Sequence, residues 1–381
     1  MRRTAAWLCR FALLPVAAAG AVFAAGPDTS GPPIQSMSAL AFGPDGALFI
    51  GDGKAGAVHA LALGDRAARK PTERLVIKDL EEKIAALLGA KADMIMIHDM
   101  AVDPIAADTF LAVSRGRSAW DSSWTLPNDI ADADVLLRIA PDGAISAVTL
   151  NKHTWTTAAL PNPVDAGRKH PWKEGISLRA DTITDIAYAD GLLYVAGLSN
   201  EEFASTMWKV PYPFGARAEA TTLEIYHGAH GEYESNAPIR TFLPYRLKGQ
   251  PFMLAAFLCT PLVTFPVSDL VGGKHLKGRT VGEFGWGNYP LDMLAYVKEG
   301  QQRLLLANSN LPLMIIDPAR IESFEGEIVS KVQGYTAGVP YEIRSGTGIQ
   351  QMDSFGEKFV MAIRRMPGGR LVLESMPLDR F

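Results

Sequence analysis

Cysteine is almost absent from the 381-residue chain: Cys9 and Cys259 are the only two. A disulfide scaffold, a Cys-rich zinc cluster and a CxxCH attachment are excluded on that count, and covalent haem c with them. An excess of charge of one sign is lacking too. The 37 Lys and Arg set against 41 Asp and Glu leave a net charge of −4, which offers no basic field for phosphates and argues against a nucleic-acid partner. Also missing are a Gly-x-Ser-x-Gly elbow, a Walker loop, a His-Glu-x-x-His helix and a Rossmann glycine fingerprint. The enzyme classes that depend on those motifs are set aside.

Long apolar runs are short of membrane length. The most apolar stretch lies near the N-terminus and is broken by Arg10, Pro15 and Gly20, whereas a spanning helix needs about 20 apolar residues. Arg2, Arg3, the Ala- and Leu-rich segment from Phe11 and the small residues around Val22-Phe23-Ala24 instead read as a secretory signal peptide over 1–24. The expectation is a periplasmic or secreted protein with no transmembrane anchor, cleaved near Ala24. Its mature part, 25–381, keeps Cys259 as its only thiol and owes its stability to packing.

What the chain has in quantity is Gly (35), Pro (25) and apolar residues (48%): many turns around a large core, which favours short strands over long helices. One pattern of apolar strand, tight turn and apolar strand recurs six times. It begins at Ser38, His98, Thr184, Thr241, Asp292 and Gln351, with Asp45-Gly46 and Asp190-Gly191 as hairpin turns. A third apolar run follows each copy, such as Val58 to Leu63, and most have a fourth, such as Arg74 to Ile77 or Thr222 to Tyr226. Four antiparallel strands repeated six times predict an all-β fold, a single six-bladed β-propeller over 25–381. Insertions near 115–134 and 151–181 absorb the excess length, and residues Glu81 to Leu88 read as one or two helical turns. The last copy ends before a fourth strand, so an N-terminal strand is expected to close the ring, and Gly31 to Ser36 is the segment available.

The run Ala39-Leu-Ala-Phe-Gly-Pro-Asp-Gly-Ala-Leu-Phe-Ile-Gly-Asp52 resembles the blade motif of NHL-repeat and SMP-30/gluconolactonase-like propellers. The resemblance covers the blade frameworks, about a third of the chain, at the level of motifs. It implies a ligand site at the mouth of the central channel and, in some members, a divalent cation held there by carboxylate and Asn side chains. Ala39 stands where the lactonase-like members carry a Glu, a departure that weakens the hydrolase reading.

Topology then places the site. Residues entering the first strand of each copy form the series Ala39, Asp99, Asp185, Thr241, Asp292 and Gln351. Three are aspartates, expected to surround the upper opening of the channel. They either hold a cation, Ca²⁺ before Zn²⁺, or cap backbone amides where the chain turns into the strand. Blades two and three are expected to be neighbours, with blade five across the ring. His98, one step before Asp99, is the candidate general base. Long connections on the same face carry Trp120, Trp124, Trp155, Trp172, His227, His230 and Trp286, a candidate ligand-binding surface. The spacing His227-Gly-Ala-His230, followed by Glu232 and Glu234, has donors suited to zinc or copper, although hydrogen-bonded loop histidines are the plainer reading. Cys259 reads as a buried thiol; as a nucleophile it would need His98 as its base. The function expected is binding of a small molecule or a periplasmic protein partner through this face. The alternatives are a metal-dependent SMP-30-like hydrolase and a periplasmic redox- or cofactor-associated protein.

Overall fold

Asp190-Gly191 joins two strands, Asp185–Ala189 and Leu192–Leu198, through a two-residue loop in which both residues take positive φ, 47° and 83°. That backbone twist matches the twist of a hairpin, and Gly adopts it without strain. Asp45-Gly46, at 54° and 71°, ends the four-residue connection from Gly43 between Ala39–Phe42 and Ala47–Asp52. In the computed structural model, which describes residues 31–115, 133–171, 177–345 and 348–381, six hairpins begin six sheets arranged in a ring, each with a core of four antiparallel strands and with short extra strands on blades 3 and 4. The protein is an all-β, six-bladed propeller with few helices. The inner strands of blades 1 to 6 are Ala39–Phe42, Ile95–Val102, Asp185–Ala189, Ile239–Leu247, Pro290–Lys298 and Ile349–Phe355. Among the described residues no helix is long and apolar enough to cross a membrane.

Among the described residues six of the seven apolar clusters lie each between two blades, and these six fix the order of the ring. Blade 1 packs on blade 2 through Leu48, Ile50, Phe110 and Leu136, and on blade 3 through Phe49, Val58, Val195 and Trp208. Blade 2 meets blade 6 through Leu111, Leu137, Met361 and Leu373, while blades 3 to 6 follow one another in sequence. The order around the ring is therefore 2, 1, 3, 4, 5, 6. Blades 2 and 3, expected as neighbours, are separated by blade 1. Each fully buried Leu, Ile or Phe at these boundaries contributes about 1.5–3 kcal/mol, packing that holds the blades together without a disulfide among the described residues.

This order comes from two blades assembled from distant segments. The outer strand of blade 1 is Thr154–Ala159, which pairs along Ala57–Ala62; the segment expected as an insertion over 151–181 thus carries part of a blade. The outer strand of blade 6 is Val76–Lys78, paired with Val372 to Glu374. An N-terminal strand does close the ring, but it is this one and not Gly31 to Ser36. Ile77 points into the cluster between blades 2 and 6, and the Leu75 N–H donates to Ser375 Oγ at 2.8 Å. Gly31 to Ser36 docks on blade 1 instead. The buried Asp52 carboxylate accepts the Gln35 N–H at 2.6 Å and the Ser36 hydroxyl at 2.9 Å, and Ile34 and Met37 pack between blades 1 and 2. The helix Leu80–Leu88 follows Val76–Lys78, buries Leu80 and Ile84 and ends on Gly89 in the left-handed conformation.

Candidate functional site

The series expected at the channel entrance forms one level of the ring. In spatial order it runs Asp99, Ala39, Asp185, Thr241, Asp292, Gln351, so acid and non-acid residues alternate. Each aspartate spans a blade boundary in the same rotational sense. Asp99 Oδ2 accepts the Leu40 N–H at 2.6 Å, Asp185 Oδ2 accepts that of Phe242 at 2.8 Å, and Asp292 Oδ2 accepts that of Met352 at 2.6 Å. The other oxygen of each takes the N–H of its own following residue at 2.7–2.8 Å. The result is a pseudo-threefold ring of carboxyls pinning blade 2 to 1, 3 to 4 and 5 to 6. Blade 6 is tied on to blade 2 by Asp353, which accepts the Val102 N–H at 2.7 Å, and by Gln351, whose amide donates to the His98 carbonyl at 3.3 Å.

These carboxyls keep some contact with the channel space, yet protein surrounds them on all sides, and burial dominates their acidity. Burial and then the neighbouring Asp185 charge push Asp99 well above the usual carboxylate range. Asp292 is raised likewise by burial and by Asp99. Burial lifts Asp185 to about 7, against the pull of the Phe242 and Ile186 amides, the Thr241 hydroxyl and Arg240, and lifts Asp353 to about 6. Amide donors favour the charged form while burial and mutual repulsion favour the neutral one. Such a ring can retain protons at neutral pH; every carboxylate oxygen keeps a lone pair beyond the one its amide occupies, but among the described residues the three carboxyls do not gather within 4.8 Å of one another as ligands of one ion would.

Asp99, Asp185, Thr241 and Asp292 form the waist between two cavities along the axis, of about 520 Å³ below and 510 Å³ above. The upper cavity is lined by the residue that precedes each member of the ring: Ser38, His98, Thr184, Arg240, Leu291 and Gln350. In blades 2, 4, 5 and 6 that residue sits at a break in strand register, a β-bulge that re-aims its side chain. Sequence reasoning found His98 by this position and missed Arg240 and Gln350, although the same one-residue offset in the repeat marks them.

His98 is anchored. Its Nε2 bonds the Ser114 hydroxyl, which is itself 2.6 Å from Asp134 Oδ1. A carboxylate only accepts, so Ser114 donates to Asp134 and accepts from His98, which assigns the ring proton to Nε2 and makes Nδ1 the basic nitrogen. Serine stands in the middle of this relay, the reverse of a nucleophilic triad, in which the histidine stands between serine and acid.

The aromatic residues disperse. Trp155 lies on the outer strand of blade 1, packed with Leu61 and Leu150 between blades 1 and 2, away from the channel mouth. Trp286 is exposed on the upper face, its ring 5.7 Å from that of Tyr335. Trp120, Trp124 and Trp172 lie outside the described residues, as does the segment 1–24. His227 and His230 are on the upper face at the boundary of blades 3 and 4, outside the channel lining, and Cys259 is brought to them rather than to His98.

No protein-family model and no curated protein sequence matches the chain. Among solved structures it is similar to the extracellular domain of a protein from B. thetaiotaomicron assigned as a one-component system (12% identity, TM-score 0.37). That match covers 89% of this chain and spans 38% of the other. A protein from Thermus thermophilus assigned as an oxidoreductase of glucose dehydrogenase type is 13% identical (TM-score 0.35, 91% of this chain and 98% of that one). The WD40 repeats of RRP9 are 9% identical (TM-score 0.39, 91% and 95%). These likenesses are of fold alone; the six-bladed ring rests on the strand pairing above, and the NHL and SMP-30 resemblance remains one of blade motif.

Proposed function

We propose that the chain binds a small, hydroxyl-rich molecule in the upper cavity of its channel, with the acid ring as the floor. The observation behind this reading is the convergence of Ser38, His98, Thr184, Arg240 and Gln350 over Asp99, Asp185 and Asp292. That set mixes donors and acceptors around a space of about 510 Å³, within the size range of small-molecule sites. A polyol or sugar acid satisfies such a lining better than an apolar ligand, which would leave the polar groups unpaired. Export belongs to the same reading and predicts a native N-terminus close to Ala25, checked by intact mass. The ligand test is a calorimetric screen of sugars, polyols and sugar acids. Arg240→Ala and Gln350→Ala should each weaken the best binder tenfold or more, while Trp155→Phe leaves it unchanged. Failure of every compound to bind, or wild-type affinity in both cavity variants, would remove the site.

A second reading, cation-dependent hydrolysis, draws on one arrangement: three carboxyls line the channel beneath His98, whose imidazole is held by the Ser114 relay. Its test is thermal. Ca²⁺ at about 100-fold over its dissociation constant should stabilise the protein by roughly 3 kcal/mol, and equal unfolding midpoints in Ca²⁺ and in chelator would reject it.

A further inference from the structure

The strand Glu219–His227 of blade 3 ends on the upper face, and its last residue is 2% exposed. The chain then reverses, and Gly231, at φ 81°, donates its N–H to the His227 carbonyl at 2.7 Å. This reversal returns His230 over His227, ring centroids 3.9 Å apart. Glu234, on the short strand that follows, serves both imidazoles: its Oε1 lies 2.8 Å from His227 Nδ1 and 2.5 Å from His230 Nδ1. A carboxylate only accepts, so both Nδ1 atoms carry the protons and the lone pair of each ring is on Nε2. Carboxylate–imidazole pairs of this kind orient metal-ligating histidines in known sites. Each imidazole is thereby prepared as a ligand.

The facing blade supplies the third donor. Cys259 occupies the turn between the second and third strands of blade 4, and one donor atom from each of His227, His230 and Cys259 lies within 4.8 Å of the other two. A filled tetrahedral site of nitrogen and sulfur ligands has edges of roughly 3.3–3.7 Å, from metal–ligand bonds of about 2.0–2.3 Å, so the three donors need to draw together by about an ångström at most. Two buried atoms beside the cluster have no partner among the described residues: His227 Nε2 and Glu283 Oε2. Glu283 is 2% exposed, its Oε1 accepts the Gly228 N–H at 2.5 Å, and both imidazoles act on its charge. Position 228 must be glycine for this approach, because a Cβ there would stand 2.8 Å from Val332 and 3.0 Å from Glu283 Cγ. A buried imidazole nitrogen and a buried carboxylate oxygen, both unpaired beside a thiol, form a costly arrangement when empty.

We propose that His227, His230 and Cys259 bind one zinc ion at the boundary of blades 3 and 4, with the fourth position open to water. Two imidazoles and a thiolate suit a borderline-soft divalent cation and not Ca²⁺ or Mg²⁺. The site is separate from the acid ring and stands or falls independently of the channel reading.

The test uses the reduced full chain titrated with Co²⁺, a spectroscopic stand-in for zinc. One equivalent should raise a thiolate-to-cobalt charge-transfer band, and Zn²⁺ should abolish it by displacement. Cys259→Ser should lose the band, and His230→Ala, at an exposed position with little bearing on folding, should weaken cobalt binding at least tenfold. Asp292→Asn, in the channel, should leave the titration unchanged. Absence of the band in the reduced wild type, or an undiminished band in both Cys259→Ser and His230→Ala, overturns the proposal.

Discussion

Asp292 of blade 5 accepts the backbone N–H of Met352 of blade 6 at 2.6 Å while holding that of Met293 at 2.7 Å. One side chain thus joins two sheets at the channel wall. Replacing it with alanine leaves two enclosed N–H groups without acceptors, a penalty of about 1–3 kcal/mol for each group. Asp292→Ala should therefore destabilise by roughly 2–4 kcal/mol in urea unfolding. Asp292→Asn should cost less, because it removes the repulsion from Asp99 and Asp185 while retaining one acceptor. An Ala variant as stable as the wild type would show that the boundary does not depend on the carboxyl.

The acid ring also sets a pH dependence. Burial raises the folded pKa of Asp185 to about 7 from its ordinary 3.8, so between these values the native state holds more protons than the unfolded one. Its contribution favours folding fully below about pH 4 and is lost as pH rises through about 7, on the order of a few kcal/mol. Asp52, lowered by His59 and the surrounding amides despite its burial, acts in the opposite direction and loses its contribution as pH falls. The effect is therefore read as a difference: wild type minus Asp185→Asn should decline from about pH 4.5 to about pH 7.5. A constant difference across that range would mean that Asp185 titrates normally.

Closure of the ring predicts a contrast between adjacent positions. Ile77 is 6% exposed and Val76 46%. Ile77→Ala should cost about 2–5 kcal/mol, whereas Val76→Ala should stay within about 0.5 kcal/mol. Denaturant midpoints for the two variants provide the check, and equal losses would contradict the pairing of Val76–Lys78 with blade 6.

The six hairpins were legible in the sequence because inner strands carry the strongest signals: apolar alternation and, at Asp45-Gly46 and Asp190-Gly191, residues that tolerate positive φ. The outer strands carry little. Thr154–Ala159 has no residue more than partly buried, and Val76–Lys78 buries Ile77 alone, so nothing in their pattern names the sheet each belongs to. The ring order depended on those two segments and was misjudged with them. At the site, the repeat position gave Asp99, Asp185 and Asp292, whereas Trp155 misled because an aromatic residue in a long connection reads alike whether the connection is a loop or a strand. The meeting of Cys259 with His227 was invisible for a different reason: it joins two blades, and no periodicity within either chain segment encodes it.

The exchanged outer strands bear on how the molecule is made. Leu75 and Ser375, hydrogen-bonded to each other, are 300 residues apart in the chain, so the strand that follows Leu75 waits for a segment made 300 residues later before it can pair. The equilibrium cost of closing so large a loop grows only with the logarithm of its length. Pairings this distant in sequence slow the search, and the apolar edges of blades 2 and 6 stay open until Val372 to Glu374 have been made. Once formed, blade 6 can lose its outer strand only by separating segments about 300 residues apart in the chain. That exchange places its persistence in the height of the unfolding barrier as much as in the depth of the native well.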